Sequence, residues 1–213
     1  MNKNIFIFDI DDTIIESTQW LVNNYNINHP DDLLIKNDFQ FYLNASKLVP
    51  KYYEDFRKLI DTLINDCPND VKLVEGFYEF YKNFKNKNNH YLFLSKRKNI
   101  NNLRKYFSSK GIKIDNIIFV TNVDDKIEYI LDIFLFNRYN NVLIFEDNPV
   151  VIKDCFTYLT EFNYIVFIKK QPWNNNVIYN FENYKDFKYF DNYFELFELI
   201  ENFLGLTNSF WKQ

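Results

Sequence analysis

Short unbroken apolar runs alternate with amphipathic stretches along most of this chain, and the two patterns predict different elements. Ile5-Phe6-Ile7-Phe8, Tyr91-Leu92-Phe93-Leu94, Ile117-Ile118-Phe119-Val120, Val142-Leu143-Ile144-Phe145 and Tyr164-Ile165-Val166-Phe167-Ile168 carry no polar interruption. Such runs are the profile of strands covered on both faces. Helical spacing fills the gaps. It predicts helices around Phe77–Phe84, around Ile100–Ser109 with Gly111 as the C-cap, and from Lys126 to Phe136 with Ile127, Ile130, Leu131 and Phe134 on one face. A further helix follows Pro149, and a last one lies near Tyr193–Phe203. Strands alternating with helices give an α/β fold, a doubly wound parallel sheet joined by right-handed crossovers.

The alternation fails between Glu16 and Asn69, where no strand-like run occurs. This stretch holds Trp20-Leu21-Val22, a break at His29-Pro30-Asp31-Asp32, and then Tyr52, Phe56, Leu59, Ile60, Leu63 and Ile64 at amphipathic helical spacing with Pro50 near the start. Pro68-Asn69-Asp70 closes it. The pattern predicts a core made of residues 1–15 and 70–213 and a small helical insertion over 16–69.

The strand ends carry the candidate chemistry. Ile5–Phe8 runs into Asp9, Asp11 and Asp12, followed by Thr13. A strand that ends this way presents carboxylates in the crevice beyond the carboxyl edge of the sheet, where open α/β folds bind ligands. Asp9 and Asp11 would point to one side of an extended backbone, although the turn is expected to re-aim one of them. Like charges so close call for a cation or a shared proton between them. Hard oxygen donors with no nearby His or Cys point to Mg²⁺. Glu146-Asp147-Asn148-Pro149 is a second acidic strand end. Taken singly, either could be an ordinary acidic turn or cap.

Composition narrows the chemistry further. With only three glycines, Gly76, Gly111 and Gly205, neither a Walker loop nor a dinucleotide-binding glycine motif can be built. The two histidines, His29 and His90, are far apart and no Cys/His zinc spacing exists. Ser-His-Asp chemistry has no local support, so any catalysis must come mainly from carboxylates, Lys, Arg, Ser and Thr. The net charge of −4 with well-mixed signs argues against a general nucleic-acid or membrane-surface binder. No apolar stretch reaches the length of a membrane span, no signal peptide is evident, and Cys67 and Cys155 suit a reducing compartment, so a cytoplasmic protein is expected. Abundant Asn, Ile, Lys, Phe and Tyr look like the bias of an AT-rich genome.

Apolar strand, then Asp9-x-Asp11-x-Thr13, resembles the first motif of the haloacid dehalogenase (HAD) superfamily of phosphotransferases. Three further elements follow in that superfamily's order. Ser95 ends a strand as the second-motif hydroxyl does, Lys126 stands where the third-motif lysine stands, and Glu146-Asp147 resembles the acidic fourth motif. The resemblance covers the chain apart from the insertion. It implies covalent phosphoryl transfer, with Asp9 as nucleophile and Asp11 as general acid and then base. It implies Mg²⁺ held by Asp9, Asp147 and the backbone carbonyl of Asp11, with Glu146 as a further metal carboxylate. Ser95, Lys126, Thr13 and Arg97 are the phosphate-binding candidates. Asp11 argues against a dehalogenase, and the ATPase branch needs far larger additional domains. The insertion sits where such proteins carry a C1 cap, which favours small soluble phosphates over phosphoproteins or polymers.

Ser95-Lys96-Arg97 with Asn99, Glu146-Asp147-Asn148-Pro149, and Pro172-Trp173-Asn174 after a strand resemble the 5′(3′)-deoxyribonucleotidase-like branch. That implies a HAD-type phosphomonoesterase acting on a nucleoside monophosphate, with Trp20, Phe39, Phe41 and Tyr42 of the cap able to stack on a base. Two departures stand out: Glu146 replaces the usual Asp, and Asp12 stands where that branch more often has Gly; the Gly-Asp-x-x-x-Asp form of other branches is absent, since Val150 and Val151 follow. The alternatives are a polynucleotide 3′-phosphatase, which the net charge does not encourage, and a non-catalytic binding protein on the same scaffold. Neither a membrane nor a stable nucleic-acid partner is expected. The oligomeric state is left open.

Overall fold

The computed structural model describes residues 4–39, 45–85, 89–122, 124–136, 139–174 and 187–204. Its strands are β1 (Asn4–Asp9), β2 (His90–Ser95), β3 (Ile117–Phe119), β4 (Asn141–Glu146), β5 (Tyr164–Lys169) and β6 (Phe187–Phe190). All pair in parallel, in the order β3-β2-β1-β4-β5-β6. The helices are α1 (Ser17–Asn28), α2 (Ala45–Leu48), α3 (Tyr53–Asp66), α4 (Phe77–Lys85), α5 (Ile100–Ser109), α6 (Asp124–Phe136), α7 (Pro149–Tyr158) and α8 (Leu196–Phe203). The α/β doubly wound parallel sheet is as expected. The chain winds outward from β1 to β3, then crosses back to β4 on the other side of β1. The winding direction therefore reverses between β1 and β4, and ligands bind at the carboxyl ends of strands at such a switch point.

The five apolar runs form the strands within a residue at either end. Each hides a period of two. Ile5, Ile7, Val142, Ile144, Val166 and Ile168 face one side and pack against α6 and α7, whereas Phe6, Phe8, Phe145 and Phe167 face the other. In register, Phe93, Phe8, Phe145 and Phe167 form one row across four strands. Their rings stack at 5.3, 4.3 and 4.9 Å between centroids. The row lies one residue before Asp9 and Glu146, so the packing that fixes the strands also fixes the height of the acidic edge. Phe145→Ala is expected to cost about 3–5 kcal/mol by denaturant titration, against roughly 0.5–1.5 kcal/mol for Ile144→Val. A loss below about 1 kcal/mol would mean that the row is not a structural spine.

β6 is missing from the hydrophobic pattern because Lys188 interrupts it. It is a short, half-exposed strand at the sheet edge, where a charge blunts further pairing. Gly111 does follow α5, at φ +75°. The insertion is helical in its described parts but shares the core. Trp20, Leu21, Tyr25, Phe39, Phe56 and Leu63 belong to the same buried cluster as Phe6 and Phe8. The chain entering and leaving it is tied together at its base, where Glu16 N–H donates to Lys72 O at 2.9 Å and Val74 N–H to Ile14 O at 2.7 Å. Among the described residues no helix is long and apolar enough to cross a membrane, and Cys67 and Cys155 are buried and unbridged.

Candidate active site

β1 and β4 end side by side and bring three carboxylates together. Ligand oxygens of Asp9, Glu146 and Asp147 lie within 4.8 Å of one another. Lys126, in the first turn of α6, reaches this group across the sheet edge. Its Nζ donates to Asp9 Oδ1 and, at 3.0 Å, to Glu146 Oε2. The other oxygen of Glu146 accepts the backbone N–H groups of Asp147 and Asn148 at 3.2 and 3.1 Å. Glu146 is thereby committed to Lys126 and to its own turn.

These contacts govern the charges. Burial drives the Asp9 carboxyl upward to about 8; Lys126 pulls it down, and Glu146 and Asp11 add to the rise. Burial, Asp9 and Glu146 likewise push Asp147 well above the usual carboxylate range. Burial opposes the charge on Lys126, but Asp9 and Glu146 outweigh it and hold the ammonium above its ordinary pKa. One lysine faces three carboxylates, a surplus expressed in the raised Asp9 and Asp147 that bound protons or a further cation would relieve.

Asp147 is held by neutral donors. Thr13 Oγ1 donates to Oδ1 at 3.1 Å and Trp173 Nε1 to Oδ2 at 2.9 Å. Asn174 Nδ2 donates to the Asp147 backbone carbonyl at 2.9 Å. Asn148 caps α7 through the N–H of Val150 at 2.9 Å, with Pro149 at the first helical position, so the acidic turn is anchored from both sides.

Asp11 turns away from this group. Arg97, buried on the loop after β2, donates through Nε to both Asp11 oxygens at 3.2 and 3.0 Å and through Nη2 to Oδ1. Burial would raise the Asp11 carboxyl, but the Arg97 charge and hydrogen bonds, with Ser17, hold it below its ordinary value. Asp12 adopts φ +57°, a left-handed conformation that favours glycine. Its buried carboxylate accepts Thr18 N–H at 2.9 Å and Thr18 Oγ1 at 2.6 Å. It thus caps the start of α1, which accounts for a carboxylate at this position. Burial raises Asp12 to about 6, against the pull of Lys36 and the Thr18 hydrogen bonds.

Neither a family model nor a curated protein sequence matches the chain. Solved structures do. A HAD hydrolase of family IA, variant 3, from Entamoeba histolytica is 14% identical, covers 96% of this chain and 100% of its own, and has a TM-score of 0.56. A predicted phosphoglycolate phosphatase from Haemophilus somnus is 12% identical, with 92% and 97% covered and a TM-score of 0.60. An archaeal β-phosphoglucomutase from a Pyrococcus species is 14% identical, with 95% and 99% covered and a TM-score of 0.56. The fold is that of the HAD-superfamily hydrolases. Nearly the whole length aligns in each case, including the region of the insertion.

Within this HAD-like fold a cavity of about 420 Å³ opens over the acidic edge. Asp9, Asp11, Lys126 and Asp147 form its floor, Arg97 and Lys96 one side, and Ile60, Leu63 and Ile64 of α3 the roof. The structure gathers Asp9, Glu146, Asp147 and Lys126. It sets the Asp11 carboxylate on Arg97, outside the three-carboxylate group, so Asp11 is the member of the Asp9–Asp11 pair that the turn re-aims. Thr13 and Ser95 are buried and do not line the cavity; Thr13 donates to Asp147, and Ser95 Oγ accepts the N–H of Arg97 at 3.1 Å. Trp20 and Phe39 belong to the buried core cluster and do not line the cavity, so of the two roles open to these aromatics, core and base stacking, they take the core. Phe41 and Tyr42 lie outside the described residues. Sequence reasoning missed the roles of Asp12, Ser17 and Gln171, whose Nε2 donates to the Asp12 carbonyl at 2.6 Å. The Pro172-Trp173-Asn174 segment did stand out, but nothing local assigns its partner as Asp147.

Proposed function

We propose that this chain is a phosphomonoesterase that transfers the phosphoryl group of a small soluble ester to Asp9 and then to water. The observation that carries the reading is the meeting of Asp9 with Lys126 and with Glu146 and Asp147 at the switch point of a HAD-like fold. In the first step an Asp9 oxygen bonds to phosphorus, the ester P–O bond breaks, and the leaving oxygen takes a proton from Asp11. In the second, Asp11 removes a proton from water, the new P–O bond displaces Asp9, and inorganic phosphate leaves. Lys126 offsets charge on the nucleophile, and Ser95 at the end of β2 and Arg97 on the cavity wall are the neighbouring phosphate-binding candidates. Asp11 Oδ1 accepts from Arg97 and Ser17, whereas Oδ2 accepts from Arg97 Nε, so Oδ2 is the oxygen that would carry the proton while Arg97 keeps the carboxylate oriented.

Three hard carboxylate donors facing one lysine suit Mg²⁺. Asp9, Asp147 and the backbone carbonyl of Asp11 would hold it, with Glu146 as a weaker participant because Lys126 and its own turn already engage both oxygens. Bound Mg²⁺ supplies the charge that lets an anionic nucleophile approach a phosphate dianion. Asp147→Ala should raise the Mg²⁺ concentration for half-maximal activity by at least roughly tenfold, and Glu146→Ala by less. An equal or reversed ranking in a Mg²⁺ titration would overturn this assignment.

The cavity suits a compact substrate, near the lower end of the roughly 300–1,000 Å³ typical of small-molecule sites. Within that class the motif resemblance nominates a nucleoside monophosphate, which would lay its base against the aliphatic α3 wall. A cytoplasmic location belongs to the same reading, since two buried unbridged cysteines fit a reducing compartment. The deciding comparison is kcat/KM, with Mg²⁺, for nucleoside monophosphates, 2-phosphoglycolate, hexose phosphates and a 3′-phosphorylated oligonucleotide. Nucleotides no better than the other small esters would remove the nucleotidase assignment and leave a small-molecule phosphatase. A preference for the oligonucleotide would replace both.

A further inference from the structure

Arg97 is among the largest fully buried side chains of the protein, 1% exposed, and it stands where three separate segments meet. Nε and Nη2 engage Asp11 in the turn after β1. Nη1 donates to the backbone carbonyl of Leu63 in the last turn of α3, and Nη2 lies 3.4 Å from Ser17 Oγ at the first residue of α1. Ser17 Oγ itself donates to Asp11. One guanidinium thus joins the turn after β1, the loop after β2 and both long helices of the insertion. The same α3 turn supplies Leu63 and Ile64 to the cavity roof.

The chemistry suits a joint of this kind. A guanidinium offers a fixed fork of donors, so it can hold a carboxylate with one edge and a carbonyl with the other. A cation at the carboxyl end of a helix also meets the negative end of its dipole. Once buried, these hydrogen bonds are charge-assisted, and losing one leaves an unsatisfied partner. An ammonium is a single point and cannot replace both edges.

We propose that Arg97 is a latch: it holds the α1–α3 insertion closed over the cavity and, through the same guanidinium, orients Asp11. It is a positioning residue. Its role toward Asp11 rests on the phosphatase reading, whereas the latch does not. Admission of substrate parts the Leu63 carbonyl from Nη1, and closure restores it together with the Asp11 orientation. Closure also sets the height of the α3 roof, so the latch favours compact esters over bulky ones.

Hydrogen–deuterium exchange on wild type, Arg97→Lys and Arg97→Gln tests the latch without reference to activity. Exchange across residues 60–66 should rise by about tenfold or more in both variants, the scale of one lost charged hydrogen bond, while β1 and β4 keep wild-type protection. Ser17→Ala, a milder change on the same joint, should move α3 in the same direction by less. Unchanged α3 exchange in Arg97→Lys and Arg97→Gln overturns the latch. So does exchange that rises equally in the strands, because Arg97 would then be a general fold residue. Kinetics give the second arm: the preference for methyl phosphate over a naphthyl phosphate should narrow in Arg97→Lys, with kcat falling more than KM rises. An unchanged preference in an active variant overturns the effect on the roof. A wild-type protein with no phosphatase activity would sink the proposed function and leave the exchange result standing.

Discussion

Asp9→Asn is expected to yield a folded protein with no measurable phosphatase turnover. The side chain keeps its size and position at the end of β1 but loses the charge that attacks phosphorus. Losses of roughly 10⁴-fold or more are the scale seen when a covalent nucleophile is removed. The assay is hydrolysis of p-nitrophenyl phosphate with Mg²⁺, alongside thermal melting to show that the fold survives. Melting should suffer far less than in a variant lacking Lys126, because the amide oxygen can still accept from Lys126 and repulsion from Glu146 is relieved. Substantial residual turnover would exclude an aspartyl-phosphate on Asp9. Asp11→Asn should also be severely impaired, and trapping separates its two roles: phosphoenzyme accumulates only if the second step slows more than the first.

Lys126→Met should be the most damaging single change to stability at this edge. Lys126 is 4% exposed and bonded to both Asp9 and Glu146. Methionine fills nearly the same space but leaves buried carboxylates without their cation. Removing one partner of a buried ion pair costs about 3–5 kcal/mol, and that is the loss expected by urea titration in EDTA. Mg²⁺ should return part of it, since a ligand that binds the native state alone stabilises by mass action. Wild-type stability in EDTA would mean that the carboxylates take up protons and do not need the lysine. Full loss with no Mg²⁺ response would argue against a metal at Asp9 and Asp147.

Much of this molecule is set by short stretches of sequence. Ile5–Phe8, Tyr91–Leu94 and Val142–Phe145 are apolar on both faces, so each must be a covered strand, and the residue that follows must stand at the carboxyl edge. That local rule alone puts Asp9, Ser95 and Glu146 at strand ends. The alternation of Ile and Phe within β1 also decides which face becomes the aromatic spine. β6 escaped the rule because an exposed edge strand carries no continuous apolar run.

What the side chains do to one another was decided only by the tertiary structure. The order β3-β2-β1-β4-β5-β6 places β4 beside β1, and nothing in local hydrophobicity encodes which strands become neighbours. Arg97 and Asp11 are 86 positions apart, and Lys126 and Asp9 are 117 apart. Sequence spacing made Asp9 and Asp11 look like a pair because both lie on one side of an extended chain. The regular strand ends at Asp9, so the rule for an extended chain does not reach Asp11, whose carboxylate meets Arg97 instead. The aromatic side chains of the insertion were likewise ambiguous. Trp20 and Phe39 could have faced a ligand or the core, and the packing of α1 and α3 onto the sheet turned both inward. Local pattern therefore determines which chemical groups reach the carboxyl edge of this sheet, whereas strand order and the packing of distant segments determine which of them share a charge.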